Sequence, residues 1–292
     1  MEAVIVREPT SKKVLKNVEK ILKIVYVVII ALMLYAPIVF MIILSFNKAL
    51  SGNEFTGFTL EWYAQMFEKE KLMSAIITTL SIAGLSTIIS TIFGTISAIG
   101  LNSLGKKARK NSIILNNVPI LNADIVTGIF LFIIFKTLGN ALFNVEYPLG
   151  YFTLLLAHIF FSTPYVVLSV LPKLNQIDSN LYDAAVDLGC KPHQALTKVI
   201  IPSIAGGIFS GAMLAFSMSI DDFTISYFVS GSEVQNLSIW IYTSSGNTRY
   251  GNIQSAYAFY SIITIVMFVV LVGYNIISAR KSKNNKQVLV KK

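Results

Sequence analysis

Charge is what this chain has least of: charged residues are 13% of its 292 positions, against 54% hydrophobic, and the mean hydropathy is +0.66. That is too little charge to solvate an ordinary globular surface, so lipid must cover much of the molecule. Cysteine is almost missing as well. Cys190 is alone and cannot form an internal disulfide, and two histidines outside any Cys/His cluster give no metal-site spacing. A phosphate-binding loop is absent, because "SLGKKARK" lacks both the upstream glycine and the Lys-Ser/Thr ending, so the chain has no ATPase motif of its own. There is no internal repeat, no run of short alternating segments that would build a β-barrel, and no nucleophile or metal constellation suited to an embedded enzyme.

What is present is a set of long apolar runs: 24–46, 75–101, 112–138, 151–171, 203–229 and 256–279. Each is long enough for the ~20 apolar residues that cross a hydrocarbon core. In lipid they must be helices, since every backbone group has to be satisfied internally. The first run follows Lys12, Lys13, Lys16, Lys20 and Lys23 but exceeds the ~7 to 15-residue core of a signal peptide, so it reads as a retained span. The expected fold is an all-α polytopic membrane protein with six transmembrane helices over 24–279. A basic segment at 1–23 and a basic tail at 280–292 flank it.

The net charge of +9 is concentrated in three places: the first 23 residues, "GKKARK" at 105–110, and the tail "KSKNNKQVLVKK". With six spans all three fall on one side, which argues for topology determinants rather than a nucleic-acid surface. Both termini are expected in the cytoplasm, and so is the loop 172–202. The tail's composition suggests disorder or contact with anionic lipid. "NLS" at Asn236 fits a glycosylation sequon in an outer loop.

The loop 172–202 contains "DAAVDLGCKPHQALTKVIIP", from Asp183 to Pro202. Asn180 is placed to cap a helix with Asp183 near its positive end. Leu181, Ala184, Ala185 and Leu188 then share one apolar face. Gly189 suits a left-handed C′ position, Pro192 the first turn of a second helix, Lys198 that helix's end, and Pro202 its close. On physical grounds the unit is either a docking knob for a partner or a piece packed on the protein's own helix ends.

The pattern resembles the EAA loop of ABC-importer permeases, the coupling helix that inserts into the ATPase subunit. Asp183, Ala184, Ala185, Gly189, Val199, Ile201 and Pro202 match it with spacing intact; Asp stands for Glu, Val for Ile and Ile for Leu. "GFTLEWY" at 57–63, "ADIVTGI" at 123–129, "HIFFSTPYVV" at 158–167 and "SMSIDDFTISYFVSG" at 217–231 resemble the C-type membrane subunits of spermidine/putrescine ABC importers. The resemblance implies a type I ABC importer transmembrane fold in the cell membrane of a prokaryote. It also implies a second permease subunit, two ATPase subunits that use ATP and Mg, an extracytoplasmic solute-binding protein, and no cofactor held by this chain. Asp183, Ala184, Ala185, Leu188, Gly189 and Pro202 would then couple the spans to the ATPase.

Carboxylates inside a membrane need a partner, water or a proton. Asp124 follows Lys110 by about 21 Å of helix, near mid-membrane, with Pro119 and several asparagines marking an interruption of the third span. Asp221 and Asp222 fall in the outer part of span five, where adjacent helical residues diverge by about 100°. One is free to line a path while the other caps or pairs. Those acids with Phe223, Tyr227 and Tyr165 suit a polyamine through charge pairing and cation-π contact. His158 reads as a polar contact between helices, and Gly207 with Gly211 as a close-packing pair. The competing function class is an autonomous cation carrier or channel using the same acids; an ABC permease for another small organic solute is the nearer alternative.

Overall fold

The computed structural model describes residues 10–49, 55–143, 149–178, 180–245 and 251–290. The chain runs through α1 (Thr10–Ser45), α2 (Glu61–Glu68), α3 (Glu70–Ser103), α4 (Lys106–Leu121), α5 (Asp124–Phe143) and α6 (Tyr151–Leu174). It continues through α7 (Leu181–Asp187), α8 (Pro192–Ala195), a π-turn (Leu196–Ile200), α9 (Ile201–Ser203), α10 (Ala205–Asp221), α11 (Thr224–Val229), α12 (Leu237–Ser245) and α13 (Gly251–Val290). Among the described residues the β structure amounts to one isolated bridge, Asn47 with Phe58.

Among the described residues five helices are long and apolar enough to span, and the bent pair Pro192–Ser203 plus Ala205–Asp221 makes a sixth when counted as one span. Two expected spans are not continuous. The third breaks at Asn122, between α4 and α5, and the fifth both bends by 70° after Ser203 and ends at Asp221. Pro119 favours the first break by removing a ladder donor from the end of α4. Residues 280–290, whose composition suggested disorder, continue α13, while residues 1–9 of the basic N-terminal segment lie outside the described residues.

The chain divides into two compact units, 1–68 with 249–292, and 69–248. In the first, α13 packs against α1 and α2. "GFTLEWY" acts as a clasp there: Trp62 Nε1 donates to the Asn47 carbonyl at 2.7 Å, Phe46 stacks between Phe58 and Tyr63, and Thr59 Oγ1 accepts the Glu61 N–H. Most apolar side chains of α1 point outward, as expected of a helix solvated by lipid.

In the second unit α3, α6 and α10 pack mutually. Glycine sets their spacing. A Cβ on Gly94 would lie 2.7 Å from Val166 Cβ, one on Gly211 3.1 Å from Val166 Cα, and one on Gly207 3.0 Å from the Ser169 carbonyl. Helices can approach so closely only where the side chain is a hydrogen atom. One apolar cluster (Ala98, Val166, Val170, Ile200, Ile204) lies towards the α7 end of this bundle, and another (Ile82, Leu154, Phe161, Ile225, Val229) towards the α11 end.

Candidate functional site

The segment from Asp178 to Pro202 is built as a turn seated on the first cluster. Asp178 supplies the start of α7: its Oδ1 accepts the Asn180 N–H at 2.9 Å. Asn180 makes no side-chain cap, so the cap expected of it is replaced by an acid two residues earlier. Gly189 has φ +91°, the Gly189 N–H bonds the Val186 carbonyl and the Cys190 N–H bonds the Ala185 carbonyl. That is a Schellman ending, which only a residue free of a Cβ adopts without strain. Pro192 opens α8, where Gln194 Oε1 accepts the Lys191 N–H.

The expected apolar face of α7 is divided. Ala185 is buried, and Leu181 and Tyr182 pack on the bundle with Leu196, but Ala184 is exposed and Leu188 is 88% exposed. Tyr182 takes the place in the packed face that helical spacing assigned to Leu188, because the helix ends before Leu188 can turn inward. Asp183, Asp187 and Gly189 are also exposed, so the tip carries acids, a bare alanine and one projecting leucine. Lys198 lies in the π-turn rather than at a helix end. Pro202 lies two residues before the bend and has no N–H for the Lys198 carbonyl, which favours the wider turn upstream.

At the other end of the bundle the two adjacent acids separate. Asp221 ends α10 and is exposed; Asp222 is extended, with φ −66° and ψ 117°. The Asp222 carboxylate accepts the backbone N–H groups of Ile225 (3.3 Å) and Ser226 (2.7 Å) and the Ser226 hydroxyl (2.6 Å). It therefore caps α11, a use that a continuous helix through both acids does not allow. His158, buried on α6, bonds Ser219 through Nδ1 (2.5 Å) and Ser226 through Nε2 (3.0 Å), with Asp222 Oδ2 3.7 Å away. Ser219 continues the chain of contacts to Ser86 on α3 at 3.1 Å.

Asn236 closes this network. Its Nδ2 donates to the Asp222 carbonyl and to Ser226 Oγ, and its Oδ1 accepts the Ile239 N–H at 2.9 Å. A side chain 2% exposed and bonded at both ends is not a glycan acceptor, which corrects the sequon reading. Asn236, Ser86, Ser219 and Ser226 were absent from the site read from sequence. For the three serines the sequence signal is polarity within apolar runs; Asn236 lies outside those runs.

Beside the same break, Phe223, Tyr227 and Tyr242 form an aromatic cluster, with centroids 5.6 Å apart for Phe223–Tyr227, 4.9 Å for Phe223–Tyr242 and 6.0 Å for Tyr227–Tyr242. Tyr227 and Tyr242 are more than half exposed. Asp124 stands elsewhere, exposed in the first turn of α5. Asp124 is thus at a helix start rather than inside a continuous third span.

The family described as the binding-protein-dependent transport system inner membrane component matches residues 90–283. The chain belongs to this family. This permease is 32% identical over 256 residues to the spermidine/putrescine transport system permease protein PotC of Haemophilus influenzae, covering 86% of this chain and 93% of that one. It is 32% identical over 214 residues to the putrescine transport system permease protein PotI of Escherichia coli K12, covering 72% and 75%. A bacterial ABC transporter for the acidic polysaccharide alginate is similar in structure, with TM-score 0.69 and 17% identity over 93% of this permease and 99% of that chain. The fold is the type I ABC importer transmembrane fold.

Proposed function

We propose that this permease carries polyamines of the spermidine/putrescine class across the cell membrane by alternating access, driven by a separate ATPase that grips residues 181–189. The observation that carries the substrate class is the break at Asp221 and Asp222. One acid is consumed as a cap, leaving the exposed Asp221 two residues before Phe223 of the aromatic cluster, a combination suited to a flexible cation. The two relatives named for putrescine and spermidine support it. The exposed tip with Asp183, Ala184, Leu188 and Gly189 supports the coupling role, since bundle packing leaves it uncovered. Membership of a binding-protein-dependent family favours a second permease subunit, two ATPase subunits that use ATP and Mg, and an extracytoplasmic binding protein over a carrier working alone. In this reading the cell is a prokaryote and both termini are cytoplasmic.

The test is uptake of labelled spermidine and putrescine in cells lacking the chain, complemented with the wild type or with Gly189→Trp. Uptake is expected to return only with the wild type, while the Trp variant still inserts. Uptake that never depends on the chain overturns the polyamine reading; full uptake with Gly189→Trp overturns the coupling role.

A further inference from the structure

A cleft of about 690 Å³ opens where α3 and α6, both membrane-spanning by length and composition, come to an end. Its floor is apolar, formed by Ile99, Leu174, Leu196 and Ile200. Its rim is polar, with Asn102, Ser103 and Asn175, and carries the half-buried Arg109 of α4. The Arg109 guanidinium donates to the Asn175 side-chain oxygen, an uncharged acceptor, and among the described residues no carboxylate pairs with it. A guanidinium has five N–H donors, so most of its capacity is unused by that bond. Lys106, Lys107 and Lys110 stand exposed on the same turn of helix. The one acid at the cleft, Asp178, accepts the Asn180 N–H and offsets the charge of Arg109 among the lining residues, so the excess of positive charge beside the cleft comes from Lys106, Lys107 and Lys110.

An apolar floor under a cationic rim, at the depth where spans end, matches one class of ligand. We propose that this cleft binds an anionic phospholipid, with Arg109 on the phosphate and the first acyl segment over Ile99, Leu174, Leu196 and Ile200. Arginine meets a phosphate through two parallel N–H···O bonds, and a basic pocket at the headgroup level recruits acidic lipid. A free anion leaves the floor wet, and a neutral lipid leaves the rim cations without a counter-charge. One wall of the cleft belongs to the bundle and the other to Tyr182 of α7 and the π-turn, so the lipid braces the segment 181–200 against α3 and α6. The proposal concerns lipid binding alone and stands or falls apart from the polyamine reading.

The experiment is titration of the delipidated full-length protein with phosphatidylglycerol or phosphatidylcholine, read by native mass spectrometry. One phosphatidylglycerol site is expected to bind about tenfold more tightly than any phosphatidylcholine site, as a charge-assisted pair requires. Arg109→Gln, which keeps a donor and whose folding is checked by gel filtration, is expected to lose that preference; Arg109→Lys keeps the charge without the fork and is expected to fall between. Lys136→Gln, on α5 away from the cleft, leaves binding unchanged. Ile200→Trp, which fills the floor, weakens both lipids. Equal binding of the two lipids by the wild type overturns the proposal, as does wild-type affinity in Arg109→Gln. So does displacement of the lipid by millimolar inorganic phosphate, which would mark a simple anion site.

Discussion

Asp221 and Asp222 are neighbours in sequence with opposite fates, and the difference is testable. Asp222 holds two backbone N–H groups at the start of α11, and loss of such partners in an apolar setting costs about 1–3 kcal/mol. Asp222→Ala is therefore expected to lower the thermal midpoint of the purified protein. Asn236→Ala should do the same, because it strips a bond from Asp222, Ser226 and Ile239 together. Asp221→Asn should leave the midpoint within error and reduce polyamine uptake. A melting curve beside an uptake assay for each variant checks the pair; a destabilised Asp221→Asn with a stable Asp222→Ala would reverse the assignment. The acid pair was visible in the sequence. Which acid turns inward was not, because that depends on where α10 ends and on His158 and Asn236 arriving from elsewhere in the fold.

At the scale of elements, the crossing of α3, α6 and α10 depends on glycine. A side chain at position 211 would strike the Val166 backbone, which cannot move aside, so Gly211→Leu is expected to cost about 1–3 kcal/mol or more and to reduce the amount of folded protein. Gly84 on α3 faces open space, and Gly84→Ala should be neutral or stabilising by up to about 1 kcal/mol through helix propensity. Thermal denaturation of both variants checks the contrast. The π-turn is a second element with a definite cause. Pro202→Ala restores an N–H that can reach the Lys198 carbonyl and should convert the turn to α-helix, turning α7 relative to α10. Spin labels on the native Cys190 and on Ser103→Cys would report it as a shifted distance; an unchanged distribution would show that packing, not Pro202, holds the π-turn.

For the whole molecule the decisive quantity is sidedness. Three basic clusters with six spans lead to the expectation that Cys190, in the turn after α7, faces the cytoplasm. A membrane-impermeant maleimide is expected to label it in inverted vesicles and not in intact cells; the opposite result would overturn the topology. The fold itself carries little information about substrate: a transporter for an acidic polysaccharide shares it.

The sequence by itself determined that the chain is helical and membrane-spanning, because apolar runs of span length leave the backbone no other solution in lipid. It also determined the turn at Gly189, since the conformation required there is local to a few residues. Only the tertiary structure decided where the third and fifth spans break, which face of α7 is covered, and that Asn236 is a buried strut rather than a glycan acceptor. An apolar side chain reads the same whether it meets lipid or another helix, and a polar one declares its purpose only when residues such as Ser86, His158 and Ser219, distant in sequence, are folded against one another.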